Sequence, residues 1–119
     1  MTAKEIYENA LALNISRTDD EDDMEYFAVR IMNVLLAEIF LNNNQIRCKK
    51  GKSPLIQPMK IKSMEDTIDC ENELYAPMCY ALAAKLMQAQ EETTLAAVYN
   101  NQYVTLLDLV TPAVEMEVC

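Results

Sequence analysis

Apolar residues recur every three or four positions in four stretches of the chain, the spacing that places them on one face of an α-helix. In the first stretch, Ile6, Ala10 and Leu13 follow a Thr2-x-x-Glu5 capping box, whose threonine hydroxyl accepts from a free amide of the opening turn. This predicts a short, peripheral helix over about 3–13. The second stretch is the most apolar, and Met24, Ala28, Ile31, Leu35 and Ile39 line one face of a helix expected over about 22–44. Its other faces carry Phe27, Met32, Val34, Leu36, Phe40 and Leu41, leaving a narrow polar strip around Arg30, Asn33 and Glu38. A helix apolar nearly all round is either covered on several sides by its own domain or completed by another subunit. Five consecutive acids, Asp19 to Asp23, stand where carboxylates complement the positive end of the helix dipole. Asn42-Asn43-Asn44 is expected to end the helix.

Leu74, Met78, Leu82 and Leu86 mark a third helix over about 73–90, in which Ala81, Ala83 and Ala84 permit close approach of a neighbour. Pro77 either opens its main body at the first turn or kinks a longer helix, because it has no amide to donate to the preceding turn. Ala96, Tyr99, Tyr103, Leu106 and Val110 share a face of a fourth helix over about 94–110, with Asn100, Asn101, Thr105 and Asp108 opposite.

Between the second and third helices, from 47 to 72, the helical period lapses and Gly51, Pro54 and Pro58 break the chain. Loops of this length in small domains are commonly functional or disordered. Within it Met59-Lys60-Ile61-Lys62 alternates apolar and basic, and beyond Pro112 Val114-Glu115-Met116-Glu117-Val118 alternates apolar and acidic. Both are expected as short strands, and opposed as a pair they would set lysines against glutamates, within one chain or between neighbours. The whole is an all-α bundle of about four helices with a long central loop and a small two-stranded element. It forms a single domain over 1–119, its core at about 20–110 and its tail at 111–119.

Composition supports this architecture: a chain of 119 residues suits one core, and a lone glycine, Gly51, cannot supply the tight turns of an all-β fold. Nineteen acids against ten bases leave a net charge of −9, which repels nucleic acid and anionic lipid. Six of the ten bases, Arg47, Lys49, Lys50, Lys52, Lys60 and Lys62, fall in one stretch without an acid. A basic loop on an acidic body suggests head-to-tail contact between copies or with an acidic partner, or else a solvated loop. With Glu115 and Glu117 of the tail, these six are the candidate protein-interface residues.

Candidate chemistry is sparse. The chain has no histidine, so neither a Ser-His-Asp nor a Cys-His arrangement can be built, and no glycine-rich phosphate loop is present. Cys48, Cys70, Cys79 and Cys119 lack C-x-x-C spacing and are expected as reduced thiols of a cytosolic protein, no signal peptide being visible at the N-terminus. The acidic run could hold a hard cation but lacks the glycine and terminal glutamate of an EF-hand loop, and helix capping accounts for it as well. The tyrosines at helical spacing read as core or interface residues, and no apolar run approaches a membrane span. No catalytic residue, cofactor or metal is expected.

Two stretches together resemble the small head–tail connector (neck adaptor) proteins of tailed bacteriophages and prophages. One is the acidic run, Tyr26, then Ile31-Met32-Asn33-Val34-Leu35-Leu36-Ala37-Glu38-Ile39-Phe40 and the asparagines. The other is Leu74, Pro77, Tyr80-Ala81-Leu82-Ala83-Ala84-Lys85-Leu86, the acidic break at Glu91-Glu92, and Ala96, Tyr99 and Tyr103. They span roughly residues 20–110, and Ala81 stands where the family often has glycine. The resemblance implies a non-catalytic virion subunit, assembled in the bacterial cytoplasm as a homo-oligomeric ring under the portal protein. There it would meet tail or neck proteins while DNA passes through without specific binding. The alternative reading is a small helical adaptor or regulator, without catalytic activity, that binds one partner protein.

Overall fold

The computed structural model describes residues 1–13 and 21–113, with backbone alone at 21–25. Its helices are α1 (Ala3–Leu13), α2 (Glu21–Glu38), α3 (Phe40–Lys49), α4 (Tyr75–Ala89) and α5 (Thr93–Val110), and a short 3-10 turn (Asn72–Leu74) leads into α4. The fold is an all-α bundle, and no strand occurs among the described residues.

α4 is the hub. It packs most extensively along α5, then across α1 and α2. Leu74, Met78, Leu82 and Leu86 are all buried, and Ala81, Ala83 and Ala84 let the adjoining helices come close. Pro77 falls in the first turn of α4, where its missing amide costs no helical hydrogen bond. Ala96 and Tyr103 bury the inner face of α5, and the Tyr99 hydroxyl donates to the Leu13 carbonyl at 2.5 Å, joining α5 to the end of α1.

α1 begins as its capping box requires: the Glu5 amide donates to Thr2 Oγ1 at 3.2 Å, and the Thr2 hydroxyl donates to Glu5 Oε1 at 3.3 Å. It is not peripheral, however. Ala3, Ile6, Tyr7 and Ala10 are buried, and the Ala3 and Lys4 amides donate to the carbonyls of Asp66 and Met64. The loop thus caps the helix by its backbone, satisfying amides that the helix itself leaves unpaired.

The single helix expected over 22–44 is instead a rod of two pieces. Ile39, at φ −90° and ψ 5°, interrupts it, while the bonds Ile39 N–H to Leu35 O and Asn43 N–H to Ile39 O keep the pieces nearly in line. The asparagines do not end it. Asn43 and Asn44 lie buried inside α3, which runs on to Lys49 and closes at Gly51. There the Gly51 amide donates to Cys48 O and the Lys52 amide to Arg47 O, a Schellman closure with Gly51 at φ 78°. The end of α4 repeats this closure with Glu91 at φ 63°.

Met59-Lys60-Ile61-Lys62 forms no strand ladder with any described residue; Asn33 of the helix takes up both backbone groups of Ile61, and the Lys62 amide donates to Asp66 Oδ2. The other half of the expected pair, Val114 to Val118, lies outside the described residues, as do Glu115 and Glu117.

Candidate functional site

The long loop is fixed to the α2–α3 rod by three asparagines. Asn33 clamps Ile61, its Nδ2 donating to the Ile61 carbonyl at 3.0 Å and its Oδ1 accepting from the Ile61 amide at 2.8 Å. Asn44 does the same for Leu55, at 3.1 and 2.7 Å. A primary amide offers one donor and one acceptor side by side, so it can pair with one residue's backbone as a neighbouring strand would. The two asparagines are eleven residues apart, close to three helical turns, and so fall on one side of the rod. Asn43 Oδ1 accepts from the Glu71 amide at 2.9 Å, and Asn42 Nδ2 donates to Thr111 Oγ1 at 3.0 Å.

Glu71 anchors the far end of the loop. Its side chain is 5% exposed and receives Lys50 Nζ at 3.0 Å and Lys52 Nζ at 2.9 Å, with Arg47 Nη1 at 3.7 Å. Burial pushes its carboxyl up, but the hydrogen bonds from Lys52 and Lys50 outweigh that and hold it below its usual value. Lys50 also reaches Glu73 at 2.7 Å; this bond and the one to Glu71 raise the ammonium pKa. Arg47 Nε adds a bond to Ser53 O at 2.8 Å.

The six bases proposed for an interface therefore divide. Arg47, Lys50 and Lys52 are engaged within the molecule around Glu71, an acid just beyond the basic stretch. Lys49, Lys60 and Lys62 are exposed and make no ion pair among the described residues. Sequence spacing alone missed Glu71 and the asparagine clamps; the available signal was a run of three amides inside an otherwise apolar helix.

Several large apolar side chains are exposed elsewhere on the described surface. On the rod, Phe27, Val34 and Leu41 follow at seven-residue intervals and are 56–58% exposed. Met32 and Leu36 are buried by the protein's own packing, while this stripe of the nearly all-apolar helix stays uncovered. Beside it, Tyr26 meets Phe27 edge-on at 5.6 Å and carries the Arg30 guanidinium 5.0 Å from its ring centre. On α5, Leu95, Val98, Val104 and Leu109 are exposed, and Ile56 at the loop tip is 98% exposed. An apolar groove of about 330 Å³ lies between α2 and the end of α4, lined by Ile31, Val34, Lys85, Gln88 and Ala89.

The thiols are poor candidates for chemistry. Burial pushes Cys70 up to about 12 and Cys79 to about 11, so both stay protonated and weakly nucleophilic at neutral pH. The expectation of four reduced cysteines fails at Cys48, which is disulfide-bonded. Among the described residues no group of acids and cysteines could hold a metal ion, and no helix is long and apolar enough to cross a membrane. The acidic run from Asp19 to Asp23 reaches the first turn of α2, but its side chains lie outside the described residues.

Tested against protein-family profiles, curated proteins and solved structures, the chain matches none.

Proposed function

We propose that this protein is a structural subunit of a tailed-phage or prophage virion, a head–tail connector that assembles as a ring beneath the portal. It would work by packing against other subunits, with no catalytic role. The observation that carries this reading is the apolar surface on a molecule whose own core is complete. Large apolar side chains line the rod, α5 and the loop tip, where a monomeric protein would be expected to show polar ones. The resemblance of residues 20–110 to connector proteins supplies the particular class.

In this reading the stripe on the rod and the loop tip meet neighbouring copies, while α5 offers a face to portal or tail. A body of net charge −9 suits a channel through which DNA slides, since phosphate neutralisation is what retains DNA on a protein. Electron microscopy of the purified protein, alone and with a portal ring, tests the proposal. Closed rings with an acidic bore are expected. A monomer or dimer in both samples would favour a single-partner adaptor, and a ring with a basic bore would remove the proposed role of the charge.

A further inference from the structure

Ile56 occupies an unusual place for a large apolar residue. Its segment is held tightly: Leu55 is clamped on both backbone groups by Asn44, Ser53 O is held by Arg47, and Pro54 and Pro58 stiffen the chain on either side. Yet the side chain is 98% exposed. A fixed loop that presents an isoleucine wholly to water is a knob without a hole, and its ordering entropy is already spent before any partner arrives.

A hole of the right chemistry exists elsewhere on the same surface. The groove between α2 and α4 is almost wholly apolar, and at about 330 Å³ it has room for a branched aliphatic side chain and its flanking backbone. The knob cannot reach its own groove. Val34, in the groove wall, and Asn44, which holds the knob's loop, are ten residues apart on the rod, about 15 Å along its axis.

The charges near the two features are opposite. Lys60 stands four residues beyond Ile56 and Lys49 seven residues before it, both exposed and without an ion pair among the described residues, whereas Lys52 is held by Glu71. Beside the groove, Glu91 and Glu92 are exposed two and three residues beyond Ala89. Lys85, the base in the groove wall, is neutralised by Glu38 at 2.9 Å.

We propose that Ile56 of one copy inserts into the Ile31–Val34–Ala89 groove of a second copy, with Lys49 and Lys60 facing Glu91 and Glu92. Knob and groove are different patches, so the contact is heterologous and repeats from copy to copy, closing as a ring where the rotation allows. This inference rests on the ring reading above and specifies its interface.

The test uses two full-length variants, Ile56→Asp and Val34→Asp, followed by sedimentation velocity. Both positions are exposed, so unchanged circular dichroism is expected and reports that each variant folds. Each variant alone should lose the large species, with association weakened roughly tenfold or more. Mixed together, they should form a heterodimer and nothing larger, because the intact knob of the Val34→Asp copy still fits the intact groove of the Ile56→Asp copy. Rings that persist in both single variants overturn this contact and leave the ring reading standing. Loss of assembly without heterodimer on mixing also overturns it. A wild-type protein that stays monomeric to about 1 mM, both alone and with a portal ring present, overturns both.

Discussion

Gly51 and Glu91 occupy the same position in two copies of one turn, the first residue beyond a helix closed by a Schellman pair of hydrogen bonds. At φ 78° a glycine pays no steric cost, whereas a glutamate at φ 63° is held in a region that disfavours a Cβ. Nothing lies within 4 Å of a Cβ built at Gly51, so only backbone strain opposes substitution there. Gly51→Ala should therefore cost about 1 kcal/mol and Glu91→Gly should stabilise by up to about 1 kcal/mol, both read from urea unfolding. Glu71 sets a pH limit at the same scale. Its folded carboxyl lies below the usual 4.5, so its contribution is complete above that value and is lost as pH falls through the folded value. Unfolding measured down to pH 3 should show a steeper acid loss in the wild type than in Glu71→Gln, which lacks the titrating group. The Thr2–Glu5 cap was legible in the sequence because caps are local, whereas Gly51 read only as a break in the loop because the helix it closes was expected to end at the asparagines. The Glu71 cluster was not legible, since it joins residues some twenty positions apart and the acid lies beyond the basic stretch in sequence.

Among the elements, α1, α4 and α5 follow their expected boundaries within a residue or two, because each has a sustained apolar period and a local start or stop. The central helix departs from expectation at Ile39 and again at the asparagines. Three consecutive asparagines signal a helix end only when their amides turn back on their own backbone, and here they bond to the loop and to Thr111 instead. Tertiary partners decided the outcome, and sequence spacing could not show them. The clamps have a measurable cost of removal: Asn33→Ala and Asn44→Ala each strand paired backbone groups of the loop and should destabilise by about 1–3 kcal/mol. Hydrogen exchange should rise at Ile61 in the first variant and at Leu55 in the second. If exchange stays slow in both, the loop is held by something other than the amides. The hub helix gives a larger effect: Leu82→Ala, fully buried in α4, should cost about 2–5 kcal/mol. Its direction was readable from sequence, since Leu82 falls on the inward face of a clear period.

The whole molecule measures 49 × 28 × 17 Å, with a radius of gyration of 14.5 Å against about 13.5 Å expected for a compact chain of this length. It is a flattened wedge whose core is filled by α1, α2 and α4, while apolar side chains remain on the rod, on α5 and at the loop tip. The sequence indicated that the central helix asks for partners on several sides. Only the structure separates the part answered by the chain itself, Met32 and Leu36, from the uncovered stripe of Phe27, Val34 and Leu41. It also separates spent from available charge, leaving Lys49, Lys60 and Lys62 at the surface. The central claim is that this surface exists for other copies of the chain. Sedimentation equilibrium of the full-length protein over a wide concentration range measures that directly. Self-association predicts a mass rising to a closed multiple of 13.6 kDa that then stays constant, and a single 13.6 kDa species at every concentration, without and with a portal ring, would contradict it.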